Sequence, residues 1–248
     1  MTQSIAALII GDEILSGKRQ DKHLSKAIEI LKARGLALAH AHYLGDEPDR
    51  ITAHLKLSLA TKDIVFSFGG IGATPDDYTR QCAAAALGVP LARHPLAVAE
   101  LVARFGDDAY PKRVLMAEFP IGASIIPNPF NRIAAFSCGD HHFLPGFPEM
   151  AWPMMEWVLD TKYTHLFHRE AFAEEIIVVR EAGESHLLDA MNYVVANFPT
   201  TKLSSLPQFI PGGRLIELSI RGDPAAVPLA MAYMKTEIHK LGFEFSVK

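Results

Sequence analysis

Between Asp63 and Gly88 the chain reads DIVFSFGGIGATPDDYTRQCAAAALG, and this stretch holds the residue types best suited to chemistry. Gly69, Gly70 and Gly72 let the backbone turn sharply and come close to another molecule, because no Cβ intervenes. Backbone N–H groups in such a loop, followed by a helix N-terminus, suit a phosphate. Thr74-Pro75-Asp76-Asp77 predicts the start of that helix: a cap residue, a proline at the first helical position and acids in the first turn. Thr74 and Asp77 also have the spacing of a capping box, with Asp in place of Glu. Two carboxylates beside a phosphate repel it unless a cation lies between them. Acids in a first helical turn also have a purely structural use, worth roughly 0.3–1 kcal/mol each against the dipole, so the residues alone leave both roles open.

Further acids stand at corresponding places. Ile5 to Ile10 is a continuous apolar strand ending at Gly11-Asp12-Glu13, and the extended segment Leu36 to Leu44 ends at Gly45-Asp46. Helices are predicted from near Asp21 to Gly35, with Leu24, Ile28 and Leu31 as the apolar stripe, and from Asp49 to Ala60, with Ile51, Leu55 and Leu59. Ile64 to Phe68 is a third buried strand, and Gly88 closes the helix after the glycine loop. Strands and helices alternating at these lengths predict a mostly parallel sheet covered on both faces. Ligands of such sheets bind beyond the C-terminal strand ends, so Gly11 to Glu13, Asp46 and Gly69 to Asp77 are expected on one edge. Hard oxygen ligands of this kind suit Mg²⁺ or Mn²⁺, held by one or two carboxylates plus substrate phosphate, and such an ion acts as a Lewis acid on a phosphoryl group.

Composition narrows the classes. A formal net charge of −4 without a Lys/Arg cluster gives no footprint for nucleic acid. Two cysteines, Cys82 and Cys138, without CxxC spacing argue against a disulfide scaffold or a thiolate zinc site and fit a reducing compartment. The first apolar run lacks a basic flank, which reads as a strand and not a signal peptide, and no run reaches the ~18 residues of a membrane span. A cytoplasmic protein is expected. None of the histidines falls in an HExxH frame, Ser16 and Ser185 lack a nucleophile elbow, there is no Walker lysine, and GGIGAT departs from GxGxxG.

From Pro90 the pattern is less regular. Helix is expected over Ala97 to Phe105 (Val98, Leu101, Val102 and Phe105 inward) and from Arg113 to Phe119, up to Pro120. A short strand at Ile125-Ile126, a hairpin pairing Ala134–Ser137 with His142–Leu144 and a Trp152–Leu159 helix follow. Lys162 to Phe167 reads as a link to a second unit, giving domains at 1–163 and 168–248. The second unit reads as strand Ala173–Arg180, helix Glu184–Asn197 (Leu187, Leu188, Met191, Val194 and Val195 inward), strands Lys202–Leu206 and Leu215–Arg221, helix Pro224–Leu241 and a last strand at Phe243–Val247. That order is the ferredoxin-like α+β arrangement.

GGIGATPDDYT, together with GDEILSG, LGDEPDRI, IIPNP and LPGFPEM, resembles the molybdopterin-binding domain family (MoaB/Mog-like) from about Ile5 to Leu159. The likeness is closest to the CinA (competence/damage-inducible) N-terminal domain and the similar domain of FAD synthases. The C-terminal part, around Ser204-Ser205-Leu206-Pro207, resembles the small α+β unit that follows this domain. The amidohydrolase domain of full-length CinA lies outside the resemblance, so deamidation of nicotinamide mononucleotide is not carried over.

The resemblance implies a three-layer α/β/α domain binding a phosphorylated pterin or nucleotide. It implies ligand contacts from Gly11, Asp12, Glu13, Gly69, Gly70, Ile71, Gly72, Thr74, Asp76, Thr79, Asn128, Pro145 and Gly146. Asp46 and Asp77 are implied as catalytic and metal-binding residues, with Mg²⁺, Mn²⁺ or Co²⁺. In molybdenum-cofactor members the matching acids support adenylylation of molybdopterin. CinA-like members are associated with metal-dependent cleavage of a pyrophosphate such as ADP-ribose or FAD. A homo-oligomer is expected. The chain departs from the family pattern at His23 (usually Asn), at Ala134-Ala135 (usually Pro-Gly) and at Leu115 (usually Lys). Alanine adopts positive φ only at a cost, and Leu115 removes a phosphate partner. Three readings follow: a metal-assisted phosphoanhydride hydrolase, a module that binds pterin or nucleotide without turnover, and a structural partner dimerising through its C-terminal unit.

Overall fold

The computed structural model describes residues 3–168 and 173–248. The chain divides into two compact units, Met1–Phe167 and His168–Lys248. The start assigned to the second domain therefore runs into residues 169–172, which lie outside the described residues.

The first unit is ordered by the alternation along its central strands. In β1 (Ile5–Ile10) every residue is buried. Ile5, Ala7 and Ile9 pack with α2 (His23–Lys32), while Ala6, Leu8 and Ile10 pack with α3 (Pro48–Leu59). Successive side chains of a strand point to opposite faces, so a strand apolar throughout needs a layer on each side. A one-turn helix α1 (Asp12–Leu15) separates β1 from α2, and β2 (His40–Leu44) precedes α3. Next come β3 (Ile64–Phe68), α4 (Thr79–Leu87), β4 (Leu91–Arg93) and α5 (Pro95–Phe105), then β5 (Glu118–Pro120), β6 (Ser124–Ile126), β7 (Ala135–Cys138), β8 (His141–Leu144) and α6 (Pro148–Lys162). The sheet order is β2-β1-β3-β8-β7-β6. Pairs β1–β2, β1–β3 and β3–β8 are parallel, and the last two pairs are antiparallel. Helices α2 and α6 cover one face, and α3, α4 and α5 the other. This is the expected three-layer arrangement.

Three readings need correction here. Arg113–Ala117 is a 3₁₀ turn, and Glu118–Pro120 then pairs antiparallel with β4 instead of extending a helix. Helix α2 buries His23, Ala27, Ile30 and Leu31 while Ile28 is exposed; the polar His23 in the buried row disguised it. Lys162–Phe167 is no linker. Tyr163 is buried in the first unit, where its hydroxyl donates to Asp140 Oδ1 at 2.7 Å and lies 2.8 Å from His142 Nε2. Because that hydroxyl's proton goes to the carboxylate, Nε2–H donates to the Tyr163 oxygen, and Nδ1 is left to accept from Ser137 at 2.8 Å. Burial pushes His142 down to about 3, so the ring is neutral. Tyr163→Phe strands a buried Nε2–H, and a loss of about 1–3 kcal/mol is expected in urea unfolding; an unchanged midpoint would mean the imidazole finds another partner.

The second unit comprises β9 (Ala173–Arg180), α7 (Glu184–Asn197), β10 (Thr201–Ile210), β11 (Gly213–Gly222), α8 (Val227–Lys240) and β12 (Phe245–Val247). Its antiparallel sheet runs β10-β11-β9-β12, the ferredoxin-like order. Strand β10 continues through Pro207 to Ile210 because it lies at the sheet edge, where a missing N–H is tolerated. On α7, Leu187, Ala190 and Val194 are buried, whereas Leu188 and Val195 are exposed, which corrects the predicted inward face.

Candidate functional site

The C-terminal ends of β1, β2, β3 and β8 are tied to one another. Gly11 N–H donates to Leu44 O and Gly69 N–H to Leu144 O, each at 3.0 Å. Asp12 and Asp46 form a reciprocal clasp: Asp12 N–H donates to Asp46 Oδ2 at 2.9 Å, and Asp46 N–H to Asp12 Oδ1 at 3.2 Å. A Cβ at Gly45 would stand 2.4 Å from Asp12 Oδ1, so the clasp accounts for that glycine.

At this edge lies a cavity of about 780 Å³. Its walls include Gly11, Glu13, Asp46, Gly69, Gly70, Ile71, Gly72, Thr74, Asp76, Asp77, Asn128, Pro145 and Gly146. Asp12 and Thr79 are not in the wall. Asp12 acts through the clasp, and Thr79 is fully buried under the glycine loop, its hydroxyl donating to Gly69 O at 3.0 Å and its N–H to Gly70 O at 2.9 Å. Asn128 lines the cavity, but its amide holds the following turn, donating to Ile133 O and accepting from Phe130 N–H, both at 3.0 Å.

The helix start predicted at Thr74 is displaced. Helix α4 begins at Thr79, and the Asp77 carboxylate turns back to accept from Thr74 N–H at 2.9 Å and from the Thr74 hydroxyl. One half of a capping box thus closes a turn ahead of the helix instead of opening it. Asp76 and Asp77 stand on that turn and not against the dipole. The N–H groups of Gly70, Ile71 and Gly72 donate to no other group of the described residues. A run of free N–H groups around a positive-φ turn forms an anion-binding concavity, and Gly69 and Gly70 have φ of 103° and 68°.

The electrostatics are mixed. Burial raises the Asp46 carboxyl above its ordinary range; the charges of Asp12, Glu13 and Asp76 add to this, and the Asp12 N–H bond opposes it. Asp76 is exposed on the same turn, and the Thr74 hydroxyl goes to Asp77 instead. Lys18 and Arg19 bring two cations to the same wall. Two of the departures from the family pattern can be placed. Leu115 and Ala135 are not in the wall, and only Ala134 is. Neither alanine takes a positive φ, which falls instead on Arg132 at 61°. Among the described residues no group of three or more His, Cys, Asp or Glu is gathered to hold a metal.

Residues 6–165 match the sequence model of a family described as "Probable molybdopterin binding domain". The chain belongs to this family. Among its relatives are a CinA-like protein of Anaeromyxobacter sp. strain K, 33% identical over 77% of this chain and 48% of that protein, and a putative competence-damage inducible protein of Lacticaseibacillus paracasei, 30% identical over 77% and 48%. The chain thus spans about half the length of these curated relatives. The crystal structure of the protein CinA with unknown function from Thermoplasma acidophilum has a TM-score of 0.58 and 25% identity, covering 64% of this chain and 98% of that one.

For a molybdopterin-binding domain of this type, sequence reasoning missed three cations. Lys18 and Arg19 follow Gly17 in a charged run that reads as solvated surface. Arg80 looks like an ordinary helix residue, yet it is 4% exposed. Its guanidinium donates to Gly72 O at 2.6 Å, to Glu118 O at 3.2 Å and to Leu115 O. It clamps the glycine loop from below.

Proposed function

We propose that the cavity binds a phosphorylated pterin or nucleotide and cleaves a phosphoanhydride such as that of ADP-ribose or FAD with a divalent cation. The carrying observation is that the free N–H groups of Gly70 to Gly72 and the carboxylates of Glu13, Asp46, Asp76 and Asp77 face one cavity. The loop holds a phosphate, and Lys18 and Arg19 draw the anion in. Asp46 and Asp77, both in the cavity wall, would hold a hard cation such as Mg²⁺, Mn²⁺ or Co²⁺. Such an ion, when bound, supplies Lewis acidity at the phosphoryl group. Asp77, fixed by Thr74, orients the attacking water.

With ADP-ribose or FAD and each cation, chromatography is expected to show cation-dependent release of the two phosphomonoester halves, slowed about 100-fold or more in Asp77→Asn. Absence of product in the wild type, or a variant equal to it, overturns cleavage. Binding without turnover is the second reading. It is favoured by the free N–H groups of the glycine loop, which suit a phosphate without any cation, and predicts saturable thermal stabilisation by the same compounds with no product.

Asp46 permits a separate check. A folded pKa above the unfolded value gives stability that is full in acid and is lost as pH rises through the folded value. Ionised Asp46 therefore weighs against the ligand-free fold at neutral pH. Asp46→Asn keeps an oxygen for the Asp12 N–H. It is expected to melt at or above the wild-type temperature near pH 7, to lose that advantage near pH 3, and to lose the cation response. A variant that melts lower at neutral pH and still responds to cation would contradict the assignment.

A further inference from the structure

We propose that His40, His42 and His54 form a surface site for a divalent transition ion of the zinc, nickel or copper kind. None of the three lines the main cavity, so the site stands apart from the ligand reading above. Strand β2, which carries His40 and His42, is the edge of the six-stranded sheet, and α3 supplies His54. Imidazole nitrogens suit these ions, whereas Mg²⁺ and Mn²⁺ prefer oxygen ligands like those of the main cavity.

The fold brings the rings together. His40 and His42 are two residues apart on a strand, so both point to one face of the sheet. They stand opposite Ala6 and Leu8, which pack with Ile51 and Leu55 of α3, and His54 comes from that same helix. His42 is the middle ring, its centroid 5.3 Å from that of His40 and 4.5 Å from that of His54. Two imidazoles on one ion, each nitrogen about 2.0–2.1 Å from it and at angles of about 90–110°, have centroids about 4.5–5.3 Å apart. Both pairs already have the spacing that a shared ion requires.

The ring nitrogens are available as donors. Among the described residues no hydrogen bond holds any of the three rings, and His40 Nε2 lies 4.0 Å from Asp63 Oδ2. A ligating histidine commonly turns its other ring N–H to a carboxylate, which leaves His40 Nδ1 for the ion. Burial, then the charges of His42 and His40, lowers the His54 pKa and keeps that ring neutral, the form that ligates. Without the ion the three do not converge as a donor set. The His40 side chain is 44% exposed and His42 is exposed as well, so either ring can turn with little loss of packing. Asp46 lies in the link between β2 and α3, so an ion fastening these two elements also steadies the loop that carries it.

Calorimetry with zinc chloride on the full chain, free of any added histidine tag, tests the site. Excess Mg²⁺ in the buffer occupies the carboxylates of the main cavity, so zinc reports on imidazole. Wild type is expected to bind one zinc ion per chain and to melt higher with it. His42→Gln and His54→Gln should each weaken binding about tenfold or more, while His239→Gln, on α8 of the second unit, should bind as wild type does. Copper(II) bound to wild type should show paramagnetic-resonance coupling to two or more imidazole nitrogens. Zinc that does not bind, that binds both cluster variants as well as wild type, or that is lost equally in His239→Gln overturns the site. So does a copper spectrum without nitrogen coupling. The wild-type titration and spectrum need no variant, so a misfolded substitution leaves the test intact.

Discussion

Gly69→Ala is expected to destabilise the first unit by about 2–5 kcal/mol and to abolish phosphate binding. Gly69 sits at the end of β3 with φ of 103°, where its N–H holds Leu144 O. A Cβ there would lie 2.2 Å from the carbonyl oxygen of Ile10, the last residue of β1. That oxygen belongs to the central strand of a sheet buried on both faces, so it has no room to give. The added methyl therefore carries two costs, the left-handed backbone and a backbone collision, and relief comes only by parting β1 from β3. These are the strands whose ends carry the ligand loop and the Asp12–Asp46 clasp. Gly88→Ala isolates the first cost: its φ is 69°, and a Cβ there meets nothing within 4 Å. It should lose only about 1–2 kcal/mol. Urea midpoints at unchanged slope measure both. Equal losses in the two variants would show that the Ile10 contact yields easily.

How far the sequence discloses this arrangement depends on whether local chemistry or tertiary contact decides each element. Strands β1 and β3 are legible because unbroken apolar runs of that length have few other uses. Gly88 is legible because a left-handed residue ends the helix there. The turn at Thr74–Asp77 is not. Its cap residue, proline and acids are the same residues that begin a helix, and nothing local says that the helix waits for Thr79. The decision is made from outside the segment: Thr79 is pinned beneath Gly69 and Gly70, and Arg80 seizes Gly72. Helix α2 fails in a related way. Periodicity counts apolar residues, so a buried His23 shifts the apparent stripe onto Ile28, which is 47% exposed. The acids of the site could be read from their places after strands. Its cations could not, since a buried Arg80 and an exposed Arg104 look alike in a helical pattern.

Arg80→Met is expected to weaken phosphate binding at least tenfold while lowering stability by only about 1–3 kcal/mol. The two effects differ because two costs oppose each other in the wild type. Burying the guanidinium is unfavourable, as its lowered pKa reflects, and among the described residues no carboxylate lies within ion-pair distance. Its compensation comes from carbonyls, those of Gly72, Leu115 and Glu118. Methionine removes the buried charge and fills similar space, which recovers part of the desolvation. Of the residues whose carbonyls are left behind, Gly72 lines the cavity, where water can take over the lost bond. What methionine cannot restore is the position of Gly72 O, and with it the direction of the N–H groups of the glycine loop in the cavity wall. Arg80→Lys distinguishes this clamp from a field effect. Lysine keeps the charge but not the planar fork that reaches two sides at once, so its affinity for pyrophosphate should fall with methionine's. Lysine binding at the wild-type level would instead mean that Arg80 acts through its charge, and the loop would not depend on being held.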